Sequence, residues 1–161
     1  MALPSASEKI IQQGHSCNVV VYDEDNNAQT LALVQSASYN EDFGVVPAQC
    51  LGVYGPVSLD AQNYTCNLTL NTFVPLNPRE EITVPYLDGG TQTMQTLLKT
   101  RSEVAITGKG TVLSQIDFID KQEGVVYNSF SQCVITSNNG NISPGSYVTG
   151  AMNLSCIERT L

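Results

Sequence analysis

The sequence predicts a mainly β domain, largely antiparallel, folded as a sandwich or a distorted barrel with one α-helix. Three observations predict it. Segments rich in β-branched residues alternate apolar with polar side chains, as CNVVVY and TCNLTLNTFV do. Clusters of Asn, Asp, Gly and Pro punctuate those segments at short intervals. Helical spacing of apolar residues occurs in one stretch alone, TQTMQTLLKTRSE. A chain of 161 residues is most simply one domain, residues 1–161, large enough to bury a real core.

The elements follow in order. Residues 1–16 form a polar N-terminal arm. Cys17 to Tyr22 and Gln29 to Val34 read as two strands joined by the Asp/Asn-rich turn DEDNN. From Ser36 to Asp60 the chain carries Gly44, Pro47, Gly52, Gly55 and Pro56, which argue for a long excursion over an uninterrupted strand. A loop of that length in a small domain is usually functional or interfacial. In NYTCNLTLNTFV, Tyr64, Cys66, Leu68 and Leu70 fall on one face, and Thr65, Asn67 and Thr69 on the other. A proline-rich connection leads to the helix, where Met94, Leu97, Leu98 and Arg101 recur at i, i+3, i+4 and i+7. Asp88 or Thr91 would cap its start, and Lys99 and Arg101 would suit the negative end of its dipole. The last third returns to strands: EVAITGKGTVLSQIDFID, GVVYNSFSQCVITS and YVTGAMNLSCIE, separated by the turns DKQEG and NNGNISPG.

Fifteen acidic residues against seven basic ones give a formal charge of −8, spread along the chain. Binding nucleic acid by phosphate neutralisation needs clustered Lys and Arg, which this chain lacks. No apolar run approaches the roughly 20 residues that span a bilayer. The opening MALPSASEKIIQQG lacks the basic start and apolar stretch of a secretory signal, which points to folding in a cytoplasm or to a processed chain. The five cysteines, Cys17, Cys50, Cys66, Cys133 and Cys156, include no CxxC pair, so a zinc ribbon or thioredoxin-like site is not expected. Two readings of them stay open: small, buried, reduced thiols, or disulfides made after release into an oxidising medium.

No constellation supports catalysis. Asp117 and Asp120 stand three apart in IDFID, so on a strand they point to opposite faces and make a poor carboxylate dyad. Ile116 and Phe118 share one face of the hairpin they open, and the acids sit near its turn, where Asp favours local hydrogen bonds. His15 is the only histidine, in a polar segment. GKG at Gly108–Gly110 lacks the spacing and hydroxyl of a phosphate loop and reads as a bend. DEDNN has neither the glycine nor the distal glutamate of an EF-hand, so no calcium site is expected. Asn63, Asn67, Asn141 and Asn153 each begin an N-x-S/T triplet by chance in an Asn-, Ser- and Thr-rich chain. No metal or other cofactor is expected.

Two stretches carry a resemblance. CNVVVYDEDNNAQTLALV, followed by QSASYNEDFGVVPAQCLGVYGPVSLDAQNYTCNLTLNTFVP, is similar to an early strand pair, a long loop ending in LG-x-x-GPV and an Asn-Tyr strand. QIDFIDKQEGVVYNSFSQCVITSNNGNISPGSYVTGAMNLSCIE is similar to a set of closing hairpins. In this order they resemble phage tail tube proteins and the related tubes of contractile injection machines, over most of Cys17 to Glu158. The resemblance implies a structural virion protein with no enzymatic activity. Its subunits would pair sheet edges into rings of six, each ring a closed inter-subunit β-barrel, and rings would stack helically into a conduit for DNA ejection. Implied partners are further copies, a tape measure protein, a tail terminator, a baseplate and a sheath where the tail contracts. DNA would pass without specific binding, no membrane is spanned, and the protein would be assembled in the host bacterial cytoplasm and reside in the virion tail.

On that resemblance, Asp23, Glu24, Asp25, Asp117, Asp120 and Glu123 are candidate lumen-facing acids that repel phosphate. Residues 36–60 become a candidate inter-subunit or stacking element, with Tyr39, Glu41, Asp42, Phe43, Val46, Leu51 and Tyr54 as its contact residues. The five cysteines are candidates for bridges within or between subunits. Two alternatives remain: a monomeric β-sandwich adhesion or carbohydrate-binding module, which the absence of Trp disfavours, and the tube of a tailocin or secretion device.

Overall fold

The computed structural model describes residue 14 and residues 17–84, 91–121 and 124–160. His15, Asp88 and Glu123 lie outside the described residues, as does nearly all of the predicted arm. The strands are β1 (Cys17–Tyr22), β2 (Ala28–Leu31), β3 (Val34–Asp42), β4 (Val45–Gln49), β5 (Pro56–Ala61), β6 (Thr65–Phe73), β7 (Thr91–Gln92), β8 (Val112–Asp120), β9 (Val126–Asn141) and β10 (Thr149–Arg159). Between β7 and β8 lie two short helical pieces, α1 (Met94–Leu97) and α2 (Arg101–Thr107). Eight strands form one mixed sheet in the order β3-β6-β10-β9-β8-β1-β2-β7, and β4 and β5 form a separate two-stranded sheet. Only β2 and β7 run parallel among the described pairs.

One face of the large sheet makes the core. Register sets Leu68 against Leu154 and Leu70 against Met152 between β6 and β10. Ile116 meets Phe130 across β8 and β9, and Val19 meets Phe118 across β1 and β8. These side chains are all buried, with Met94 of α1 closing over them. Alternation along β6 therefore decides burial as the sequence predicts: Cys66, Leu68, Leu70 and Thr72 point in, while Tyr64 stays exposed beyond the strand. Phe118 and Phe130 meet edge to face, 5.8 Å between ring centroids.

The β1–β2 hairpin forms as expected, with β2 ending at Leu31 because Leu33 takes a positive φ of 61° before β3 begins. Its turn is held by the Asp23 carboxylate, which accepts from the backbone N–H groups of Asp25 and Asn27, each at 2.9 Å. Residues 36–60 are not one open loop. Ser36–Asp42 belongs to β3, and β4 and β5 make a hairpin pinned at its base by Gly44. A Cβ at Gly44 would collide with the backbone carbonyl of Asn63, and its φ of +59° suits glycine.

Three further expectations are corrected. The helix predicted over Thr91–Glu103 starts later and breaks at Leu98, whose φ and ψ are extended. Thr91 belongs to β7 and does not cap it; Arg101 opens α2, at the positive end of the dipole and not the negative one. Glu103–Thr107, read as strand, is helical, because Thr100 and Glu103 form a reciprocal capping box and Gly108 closes the helix at φ 68°. Finally, Asn138–Asn141 continues β9, pairing Asn138 with Met152 and Asn141 with Thr149, so the turn starts at Ile142. Pairing with β10 overrides the local Asn-Gly signal.

Two outcomes test this account. Leu68→Ala should destabilise the fold by about 2–5 kcal/mol in urea denaturation, since it empties a fully packed site. Thr100→Ala should instead act locally, because α2 buries none of its residues. Its amides should exchange about fivefold faster, matching a cap worth about 1 kcal/mol, with global stability changed by less than about 0.5 kcal/mol.

Candidate functional site: assembly surfaces and a polar sheet face

The β4–β5 hairpin is exposed along nearly its whole length. Val45, Val46, Val53, Val57 and Leu59 stand in solvent, and Leu51 and Tyr54 at its tip are fully exposed. A lone two-stranded hairpin is marginal in water, and an apolar one is a surface awaiting a partner. Other exposed apolar side chains lie on α2, where Ile106 is 85% exposed, and at Ile142 and Val148 in the β9–β10 turn. The edge of the sheet at β3 carries neither Lys nor Pro, so its outer backbone groups are open to pairing.

Of the predicted contact residues, the hairpin brings together Val46, Leu51 and Tyr54. The others are engaged within the chain. Glu41 accepts from Arg159 Nη1 at 2.8 Å, and the Arg159 guanidinium lies 4.5 Å from the Tyr39 ring centroid. Arg159 Nε also donates to Asn128 Oδ1 at 2.8 Å, so one side chain ties β3 to β9 and β10. The Asp42 carboxylate caps the bend at Gly44, accepting from its N–H at 2.8 Å. Phe43 packs on Tyr64 at 5.6 Å. Arg159 had no signal of its own in the sequence, since its three partners are distant in the chain.

The predicted acids divide. Asp23, Glu24 and Asp25 are all at the exposed side of the β1–β2 turn, with Glu24 paired to Lys99 at 3.2 Å. The Asn27 backbone N–H, helped by its side chain, holds the Asp23 carboxyl below its ordinary value. Asp117 and Asp120 do point to opposite faces of β8, but they are not solvated acids: each is 4% exposed. Asp117 Oδ1 accepts from Gln115 Nε2 and Ser129 Oγ, both at 2.7 Å. Asp120 lies opposite Cys17 in the β1–β8 register. Nearby, burial, the contact with Cys17 and the charge of Asp120 push the Tyr127 phenol up. Both acids sit on β8, an interior strand between β1 and β9, a placement that sequence spacing does not reveal.

The cysteines also divide. Cys66, Cys156 and Cys133 stand in one cross-strand row on the core face of β6, β10 and β9. Sulfurs of Cys133 and Cys156 approach to 2.8 Å, and all five thiols are free. Hydrogen bonding with Cys156 and burial push Cys133 up, and burial pushes Cys66 up. Cys17 is half-buried, while Cys50 is exposed near the hairpin tip. No group of His, Cys, Asp or Glu among the described residues could hold a metal ion.

The outward face of β3, β6, β10 and β9 has a different character. Its cross-strand rows read Asn40–Asn67–Ser155–Val134, Ser38–Thr69–Asn153–Ser137 and Ser36–Asn71–Ala151–Asn139. These side chains bond to one another: Thr69 Oγ1 donates to Asn153 Oδ1 at 2.9 Å, Asn153 Nδ2 to Ser137 Oγ at 2.8 Å, and Asn71 Nδ2 to Ser36 Oγ at 2.9 Å. Asn153 and Asn67, which begin N-x-S/T triplets, are members of this lattice.

No family model matches the sequence, and no curated protein matches it. Solved structures do share its fold. The SPP1 tail tube aligns with a TM-score of 0.57 at 12% identity, over 91% of this chain and 76% of that one. A chain of the anti-feeding prophage baseplate aligns at 0.55 and 12% identity, over 99% and 96%. A chain of the sheath–tube complex of the extracellular contractile injection system PVC aligns at 0.55 and 13% identity, over 98% and 97%. The fold is therefore that of phage tail tubes and contractile-injection tubes, as the sequence resemblance implies.

Thiol chemistry checks this geometry. In the folded chain a small alkylating reagent should modify Cys50 fastest and Cys17 more slowly. Cys66, Cys133 and Cys156 should react only after unfolding, because all three sulfurs are buried in the core where the reagent cannot reach them. Peptide mass mapping reads the order, and native modification of Cys133 at the rate of Cys50 would contradict it.

Proposed function

We propose that this protein is a tube subunit, a structural component without enzymatic activity. Its copies join into rings, hexameric as in tail tubes, and the rings stack into a hollow conduit for DNA ejection from a virion. The observation that carries the reading is the stand-off β4–β5 hairpin, whose apolar tip, Leu51 and Tyr54, is fully exposed among the described residues. The tube-like fold supports it, as does the open β3 edge, because lateral strand pairing that closes by rotation makes a ring and leaves no free edge. The hairpin then supplies the second set of contacts that stacks one ring on the next. On this reading the partners are other copies first, then the tape measure, terminator, baseplate and sheath components of a tail, and the protein resides in the virion after assembly in the host cytoplasm. The turn acids Asp23, Glu24 and Asp25 are assigned to a negative rim of the conduit, which discourages phosphate from lodging there.

Electron microscopy of the purified protein, alone and with tail components, tests the assignment. Rings and tubes are expected. Leu51→Asp combined with Tyr54→Asp should abolish stacking while leaving the circular dichroism and thermal midpoint of the subunit nearly unchanged, since neither side chain is packed in the core. Persistent monomers under all conditions would sink the proposal.

A further inference from the structure

On the tube-subunit reading, we infer that the outward Asn/Ser/Thr face of β3, β6, β10 and β9 is the wall of the bore, and that this wall is electrically neutral. Its cargo is a polyanion, duplex nucleic acid, which it passes by offering no charge of either sign.

Two independent features lead there. Exposed apolar side chains mark the surfaces that copies must cover, and the most exposed stand on the hairpin, on α2, at the β9–β10 turn, at Leu76 and at Ile157 near the end of β10. Across its three central rows the outward sheet face carries one exposed large apolar side chain, Val134 on β9, so it is the broad polar surface left facing open solvent after assembly. Charge is the second feature. In the rows from Asn40 to Asn139 no Asp, Glu, Lys or Arg occurs, although the chain carries 15 acids and seven bases. Asp42 marks the end of the face nearest the hairpin, and Asp117, where the face continues onto β8, is buried.

The chemistry suits passage. Stable phosphate binding needs cationic side chains, and none is present on these rows. Three of the amide and hydroxyl donors that could bind phosphate weakly are committed to neighbours: Thr69 to Asn153, Asn153 to Ser137, and Asn71 to Ser36. A neutral wall also spares the cargo the repulsion that a ring of carboxylates would impose at low salt. The acidic lumen expected from net charge is thereby replaced by a hydrogen-bonded amide and hydroxyl surface, with the acids held at the ends and inside the fold.

Tubes assembled from the full chain test both halves. With Ser38→Cys in a Cys50→Ser background, a maleimide carried on a protein too large for the bore should modify dissociated subunits but not tubes. A small maleimide should modify both. Equal reaction of the large reagent with tubes and subunits would overturn the wall assignment. The probe for charge is a short labelled DNA duplex. Wild-type tubes should retain none at any salt concentration. Tubes of Asn71→Lys or Asn139→Lys should retain about tenfold more at low salt and release it as salt rises. Salt-sensitive retention by wild-type tubes, or no gain in the lysine tubes, would overturn the neutral-passage claim. Chains that never form tubes would overturn the tube reading itself, a result distinct from tubes whose Ser38→Cys stays open to the large reagent.

Discussion

Cross-strand registration between β6 and β10 sets Leu68 against Leu154 on one side of the sheet and Thr69 against Asn153 on the other. Every surface described above depends on that registration. A slip of one residue would turn the leucines to solvent and push Asn67, Thr69 and Asn71 into the core. Burial of the inward rows, at about 1.5–3 kcal/mol for each large apolar side chain, therefore holds the polar lattice in place. The outward hydrogen bonds contribute less individually, because water competes for the same groups.

Curling the sheet onto its own inward face needs local departures from regular pairing. Register shifts occur between Phe118 and Ile119 and between Asn153 and Leu154, and Gln132 on β9 adopts a positive φ of 48°. Such bulges bend and twist strands where a sheet must coil. Arg159 then fastens the free β3 edge to the end of the molecule through Glu41, Tyr39 and Asn128. At the periphery stand a backbone edge, a helix with no buried residue and an apolar hairpin. On the proposed tube reading, such a chain would gain stability from association and its behaviour would depend on its own concentration.

Much of the architecture was legible because the determining signals are local. DEDNN announced the turn that Asp23 organises, and the alternation in TCNLTLNTFV announced which residues face the core. Other signals were present but outweighed by compositional cues. Thr100 and Glu103 spell a capping box, yet the β-branched residues that follow read as strand. Gly44 and the prolines of residues 36–60 argued for an irregular loop, although the same residues serve a hairpin with a tight base. The Asn-Gly pair at Asn139 and Gly140 suggested a turn, but pairing with β10 keeps the chain extended there. At the Asn-Gly pair strand pairing decided between two locally acceptable conformations, whereas at α2 the local cap decided.

By itself the sequence determined the β character of the chain, the faces of its strands, the separation of Asp117 from Asp120 and the acidic charge balance. All of these follow from residue type and a two-residue period. Tertiary structure alone decided that both aspartates are buried, that Cys133 meets Cys156, that Arg159 anchors Glu41, and that four polar strand faces merge into one neutral surface. Those outcomes depend on which strands become neighbours, and β3, β6, β10 and β9 are brought together from chain positions more than a hundred residues apart, from Val34 to Arg159.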